Sequence, residues 1–418
     1  MSLLWGYSIV YALLVGLFIF SVHAKLKGFT LTEIFSMCKN GIWTARNVLF
    51  TFLLIGLLTA TWRGAGTIAV LVSYAISVVS PSIFILGCFL LNCLVSVLTG
   101  TSFGTCATMG VICMTMANAM HISTEITAGA IVSGIFYGDR CSPVSTSALL
   151  VAELTNTNIF DNIKKMFRTA FVPTVLVSAI YLGLGIFIPY EETSLDLVTL
   201  FSKEFNMHYL ALLPAIVIFS LSLLRVPVKK TMFASILTAV LLCLFLQNIP
   251  LPELTQYAIY GYEAKHSDVA VMINGGGVLS MVKAGVIICI SSCYAGIFAK
   301  TKLLEPLQAF IMKISQKFTA FGAVLFTSAL TSAIACNQTL GIMLTNQLCK
   351  DVEPDNKKLA IDLEDTVVLV AALYPWSIAL AIPLATIEAT PASVLFAFFL
   401  YVLPLWNLII ELFGRKRI

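Results

Sequence analysis

Residues 128–153, AGAIVSGIFYGDRCSPVSTSALLVAE, make a run long enough to cross a bilayer, yet Asp139, Arg140 and Pro143 stand in its middle. That combination restricts the fold severely. In a bilayer every backbone N–H and C=O needs a partner, so an interruption at membrane depth survives only where it is buried in protein or lines a cavity. Broken helices of this kind mark candidate transport sites.

The rest of the chain has the composition such a segment demands: 59% apolar and 11% charged residues among 418, with mean hydropathy +0.96. The class is an all-α polytopic membrane protein. The net charge of +4 is spread over short connections rather than gathered in a block, so it reports orientation and not nucleic-acid binding. Eleven cysteines, among them Cys88, Cys93, Cys113, Cys243 and Cys289, sit mostly in apolar runs without a C-x-x-C pair, and read as free small hydrophobes. No nucleophile–base pair, metal cluster or phosphate-binding glycine loop is visible, so neither an enzyme nor a cofactor is expected.

Residues 3–22 predict a first span. Ser21-Val22-His23-Ala24 faintly resembles a cleavage site, but the run is too long and lacks a basic leader, so it reads as a retained helix. A basic loop with Lys25, Lys27, Lys39 and Arg46 follows on the cytoplasmic side. Residues 48–62 run outward, and 65–79 form a weakly amphipathic helix. Ser80-Pro81-Ser82 restarts the chain as 83–98, which is interrupted at Gly100–Thr105 before a shorter helix continues to about residue 120.

After the broken 128–153 run, basic residues 161–168 are cytoplasmic and 171–188 exits to an acidic loop with Glu191, Glu192 and Asp196. Residues 209–224 return to Arg225, Lys229 and Lys230, and 233–247 goes out again. Residues 250–281, with Asn274-Gly275-Gly276-Gly277, read as an outer loop or re-entrant piece. Residues 284–298 come in to Lys300 and Lys302, and 303–318 suits an interfacial helix. Residues 321–335 meet a break at Cys336-Asn337-Gln338-Thr339, and 359–387 carries another at Tyr374-Pro375-Trp376-Ser377. Residues 396–412 end in Arg415, Lys416 and Arg417, which puts the C-terminus in the cytoplasm.

The two halves of this walk match. Thr101 and Asn337 stand 236 positions apart, and Pro143 and Pro375 stand 232 apart. A near-constant offset indicates an internal duplication. Loop charge gives the copies opposite orientations, so the expected architecture is two inverted-topology repeats whose discontinuous or re-entrant helices meet at a midplane site. The division is 1–47 N-terminal helix and loop, 48–188 first repeat, 189–283 connecting helices and outer loop, and 284–418 second repeat.

The breaks carry chemistry. Ser142-Pro143 predicts a helix start with a serine N-cap and proline at the first position, while a half-helix ending near Gly138 would offer Asp139 and free carbonyls to a cation. Ser142, Ser145, Thr146 and Ser147 add hydroxyl oxygens that hard cations accept. In the other copy Glu364 and Asp365 start an apolar run, and Asn337 and Gln338 supply amides. Blander readings compete. Asp139–Arg140 also suits a salt-bridged turn at the membrane surface, Glu364 and Asp365 suit helix caps at the aqueous boundary, and Thr101, Ser102 and Thr105 suit packing residues bonded to their own helix. Arg63, Glu125 and Lys283 read as boundary charges, and Glu153 as interfacial.

Gly100-Thr101-Ser102-Phe103-Gly104-Thr105, Gly138-Asp139-Arg140 with Ser142-Pro143-Val144-Ser145, Leu363-Glu364-Asp365 and Tyr374-Pro375-Trp376 resemble, in order and spacing, the motifs of the NhaC-type sodium/proton antiporters of the ion transporter superfamily, from about residue 48 to 412. The resemblance implies an inner-membrane secondary transporter exchanging sodium for protons, or coupling both gradients to small organic anions. Its partners would be lipid and a small cation or organic solute, with a homodimer as one assembly open to it.

The chain also departs from that family's pattern. Thr146, Ser147, Ala148 and Leu149 stand where an acidic residue, two threonines and an asparagine usually follow Ser-Pro-x-Ser, and Asn337 stands where an aspartate precedes the glutamine. Thr366-Val367-Val368-Leu369-Val370 replaces a small polar run, and Ser377 replaces the asparagine after Pro-Trp.

The expected function is therefore sodium/proton antiport by alternating access in the cell membrane, with Asp139 as the coupling carboxylate. Asp139 and Ser142 are the expected sodium ligands; Thr101, Ser102, Thr105, Ser145, Thr146, Asn337, Gln338, Glu364, Asp365 and Ser377 complete the ion- or substrate-binding set. The alternative is a sodium- or proton-coupled carrier of an amino acid or small carboxylate on the same scaffold. A channel ranks below both, because inverted broken helices suit alternating access better than a continuous pore.

Overall fold

A computed structural model describes residues 9–76, 80–187, 197–224, 226–266, 269–270, 273–301 and 319–414. These are helices joined by short turns, and the one pairing of extended backbone among the described residues is the isolated bridge between Tyr262 and Gly275. The interfacial helix expected over 303–318, the acidic loop at Glu191, Glu192 and Asp196, and the terminal Arg415, Lys416 and Arg417 lie outside the described residues.

Helix α1 (Ile9–Leu26) leads into α2 (Leu31–Gly64), 34 residues started by a capping box: Thr30 Oγ1 accepts from the Glu33 amide, and the Glu33 carboxylate accepts from the Thr30 N–H. The basic loop expected here is thus mostly helix, with Lys39 and Arg46 on α2. Charges spread along a helix face read as a loop when only their number is weighed, and the aliphatic stems of such side chains pack while their heads stay wet. Residues Leu49–Gly64 and α3 (Thr67–Ile76) meet at a bend of 67°.

Helix α4 (Pro81–Thr99) starts on a proline at its first position and ends at Gly100, whose φ of 65° closes the helix in the left-handed region that glycine tolerates. The chain resumes as α5 (Ser102–Thr105), passes through one π turn (Cys106–Gly110) and continues as α6 (Val111–Ala119). Helix α7 (Thr124–Cys141) lies against α4: Ser96 Oγ donates to the Ile135 carbonyl at 2.5 Å, Gly134 faces Phe89 and Asn92, and Gly138 faces Ser96 and Val97. Contacts that advance together along both helices mean that α4 and α7 run in the same direction, so α5 and α6 return between them. The small residues allow the close approach on which membrane helices depend.

There follow α8 (Thr146–Leu154), α9 (Ile159–Phe187), α10 (Leu197–Ser202), α11 (Leu213–Leu223), α12 (Val228–Phe245) and α13 (Leu251–Tyr260). The glycines of the expected outer loop are built into the fold, since Gly275 pairs with Tyr262 and the Gly277 N–H donates to the Gly56 carbonyl of α2. Then come α14 (Val282–Thr301), α15 (Ala320–Ala335), α16 (Gln338–Cys349), α17 (Asn356–Asp365), α18 (Val367–Val370), α19 (Ile378–Thr386) and α20 (Phe399–Leu412).

Four helical stretches among the described residues are long and apolar enough to cross a membrane, or six if each of two bent pairs counts as a span. The apolar window of α9 is only 28% buried, and Phe171 and Phe187 on it are exposed, which a bilayer accommodates and water does not. The largest core cluster joins Leu58 and Trp62 of α2, Phe89 of α4, Phe136 of α7 and Phe399 of α20.

The backbone at the breaks recurs. Thr101 (φ −148°, ψ 122°) and Asn337 (φ −146°, ψ 129°) both follow a left-handed residue, Gly100 and Cys336, and both N-cap the next helix through their side chains. Ser142 and Tyr374 are both extended helix ends, and Ser145 (φ −70°, ψ 135°) and Ser377 (φ −75°, ψ 140°) are both extended N-caps. Each matching pair keeps the offset, 236 or 232, found in the sequence.

Two local expectations are corrected. The helix after the second break begins at Thr146 with Ser145 as N-cap, so Ser142-Pro143 belongs to the turn, and α7 continues past Gly138 to Cys141. Glu364 and Asp365 close α17 rather than opening an apolar run; Thr366 (φ −124°, ψ −85°) breaks the helix, and the apolar residues after it form α18.

Candidate functional site

Asp139 lies in the last turn of α7 and is 4% exposed. Its Oδ1 accepts from Ser145 Oγ at 3.2 Å, and its Oδ2 accepts from Gln338 Nε2 at 3.1 Å. Ser147 Oγ donates to the Asp139 carbonyl at 2.9 Å and shares a hydrogen bond with Ser145 Oγ at 2.8 Å. Gln338, the first residue of α16, also donates to the Val368 carbonyl of α18 at 2.8 Å. The cluster therefore forms where the second break of the first half meets the first break of the second. Each group that bonds the Asp139 carboxylate is neutral.

Arg140 has a different partner. Its side chain is fully buried and forms an ion pair with Asp365 at the end of α17, so the reading of Asp139–Arg140 as a salt-bridged surface turn does not hold. Arg140 Nη2 also donates to Thr169 Oγ1 at 2.7 Å, and Nη1 to the Met166 carbonyl of α9 at 3.2 Å. Asp365 accepts in addition from Thr169 at 3.1 Å and from Asn407 Nδ2 of α20 at 2.9 Å. Removing a charge pair from water is costly, and hydrogen bonds to its remaining lone pairs and protons are what make it tolerable.

The other predicted residues are distributed unevenly. Thr101 caps α5 by accepting from the Gly104 amide, and Thr105 donates to the Thr101 carbonyl while sharing a bond with Thr99; Ser102 is buried beside them. These bonds are local to their own segment, as packing residues would make. Thr99, Thr101, Gly104, Thr108, Ile218, Phe219 and Thr231 line a cavity with room for about one water molecule. Ser142 is buried and accepts weakly from the Val144 amide, whereas Thr146 is exposed. Asn337 accepts from the Thr339 amide and Ser377 from the Ala379 amide, so both serve as caps. Glu364 is fully buried, which removes the aqueous-boundary reading for it and for Asp365.

Arg63, read as a boundary charge, is 7% exposed and pairs with Glu388 at 2.9 Å. Thr169 and Asn407 escaped the sequence reading. Asn407, an amide inside an apolar run, was the detectable signal, because buried polar groups in membrane helices need named partners; Thr169 gave none.

A buried carboxylate held by neutral donors, where broken membrane helices converge, has the architecture of a secondary transporter rather than of an enzyme. The profile of the Na+/H+ antiporter family matches residues 4–153 and 134–415, and the chain belongs to that family. It is 26% identical over 416 residues to the Na(+)/H(+) antiporter NhaC of Alkalihalophilus pseudofirmus, covering 96% of this chain and 89% of that protein. It is 27% identical to the NhaC antiporter of Bacillus subtilis, covering 93% and 89% of the two chains, and 24% identical to the malate-2H(+)/Na(+)-lactate antiporter of the same organism, covering 88% and 81%.

Proposed function

We propose that the chain exchanges sodium for protons across the cell membrane by alternating access, with Asp139 as the coupling carboxylate. The observation that carries this is the contrast between the two buried aspartates. Asp365 is neutralised by Arg140, while Asp139 is bonded by the neutral Ser145 and Gln338 and so retains a charge for a cation or a proton to balance. Sodium and protons compete for that carboxylate, with Ser145 as the nearest hydroxyl and Ser142 in the turn beside it. The repeats, 48–188 and 284–418, are taken to lie inverted in the membrane with the C-terminus cytoplasmic. The recurring backbone angles at the breaks and the charge of the connections support that arrangement.

The test is sodium-driven proton movement in proteoliposomes carrying a pH-sensitive dye, with lithium and potassium as comparisons. Saturable dequenching with sodium, absent from folded Asp139→Asn, is expected. Wild-type activity in that variant would remove Asp139 from the mechanism. The 24% identical relative named for malate and lactate favours a second reading, a coupled carrier of a small carboxylate. No response of folded protein to any cation, with thermal stabilisation by such a solute, would establish it instead.

A further inference from the structure

Glu364 precedes Asp365 in α17, yet the two carboxylates have opposite surroundings. Asp365 accepts from Arg140, Thr169 and Asn407, whereas Glu364, 0% exposed, has no hydrogen-bond partner on either oxygen among the described residues. Among the described residues, the charged groups within electrostatic reach of Glu364 are Arg140 and Asp139, on α7, and Asp365 on its own helix. Both terminal nitrogens of Arg140 are committed, to Asp365, Thr169 and the Met166 carbonyl.

A buried carboxylate that no donor bonds, beside an Arg140 already paired with Asp365, needs a ligand, because charge in a low-dielectric interior is very costly unless paired. A metal cation requires a shell of several oxygens around it, whereas among the described residues no donor bonds either Glu364 oxygen. A proton needs only one oxygen. We propose that Glu364 carries a proton of the exchange at a site separate from Asp139, so that the metal cation and this proton use different carboxylates. The proposal rests on the antiport reading above and assigns one of its ions.

In the step, an O–H bond forms on one Glu364 oxygen as a proton arrives and breaks as it leaves, with no change of oxidation state. On leaving, the charge left behind is offset by Arg140, which lies within electrostatic reach and whose Nε–H has no partner among the described residues. Gln338 and Ser145 stay with Asp139, which keeps the two sites chemically distinct.

The experiment compares wild type with Glu364→Gln, whose amide reproduces the shape of a neutral acid but cannot exchange a proton. Three quantities are read: thermal stability in detergent, radioactive sodium–sodium exchange in proteoliposomes, and protons moved per sodium from the reversal potential. The expected result is wild-type stability, retained sodium–sodium exchange and loss of one proton per sodium. An unchanged proton count in the folded variant would overturn the proposal. So would collapse of the fold, since that shows the site needs a charge the amide lacks. A wild type without sodium-driven proton movement is a separate outcome, scored before the variant, and it removes the antiport reading and this assignment with it.

Discussion

Arg140 and Asp365, 225 positions apart in sequence, form a fully buried ion pair that ties the end of α7 to the end of α17. Thr169 and Asn407 complete it, so four helices meet on one charge pair. Breaking such a pair from one side leaves an uncompensated charge and costs about 3–5 kcal/mol, whereas replacing both partners by neutral groups costs far less. Asp365→Asn is therefore expected to lower the unfolding midpoint sharply, and Arg140→Gln combined with Asp365→Asn to recover much of the loss. Thermal unfolding in detergent, read with the monodisperse fraction on size exclusion, checks this. A double variant no better than the worse single one would show that the pair supplies more than mutual neutralisation.

Gly138 sets how closely α7 approaches α4. A Cβ added there would run into the backbone of Ser96 and Val97, which cannot swing aside as the end of a flexible side chain can. Overpacking of this kind costs about 1–3 kcal/mol, toward the upper end where backbone must move. Gly138→Ala should thus destabilise the protein and, by shifting the last turn of α7, weaken transport through Asp139. Gly183→Ala, on α9 with open space around it, is the control and should be neutral. Equal effects from the two substitutions would contradict close α4–α7 packing.

The breaks were legible because their residues write them into the sequence. Gly100 supplies the left-handed turn, and Thr101, Asn337, Ser145 and Ser377 are good caps, so a single chain shows where its helices stop. Cys336 takes the same left-handed role with φ 54°, a conformation cysteine does not advertise, and only the offset from Gly100 points to it. Asp139 was recognisable as an interior carboxylate, but its partner Gln338 lies 199 positions away and Arg140 pairs with Asp365 rather than with its own neighbour. Charge spacing along a chain says which groups need partners; it does not say which partner the fold brings. The helix start at Thr146 was missed for a related reason, since Ser142 and Ser145 are equally good caps and packing around Asp139 chose the second.

Outside the membrane-spanning helices, Glu204 gathers the connecting segment around one carboxylate. Burial opposes its ionisation, but hydrogen bonds from the Lys265 amide at 2.8 Å, the His266 ring at 2.5 Å, the Tyr262 hydroxyl at 3.0 Å and the His266 amide at 3.2 Å outweigh it and hold its carboxyl below the usual range. A carboxylate depressed in the folded state stabilises it fully above the unfolded pKa, about 4.3 for glutamate, and that contribution is lost as pH falls below this value through the folded pKa. Hydrogen exchange at residues 261–266 should accordingly be steady between neutrality and mild acid, then quicken beyond the intrinsic pH trend once pH drops below about 4.3. Each unit of depression corresponds to about tenfold in the local opening equilibrium. Glu204→Gln should exchange faster already at neutral pH and lose the acid step. An acid step that survives in Glu204→Gln would assign it to another group.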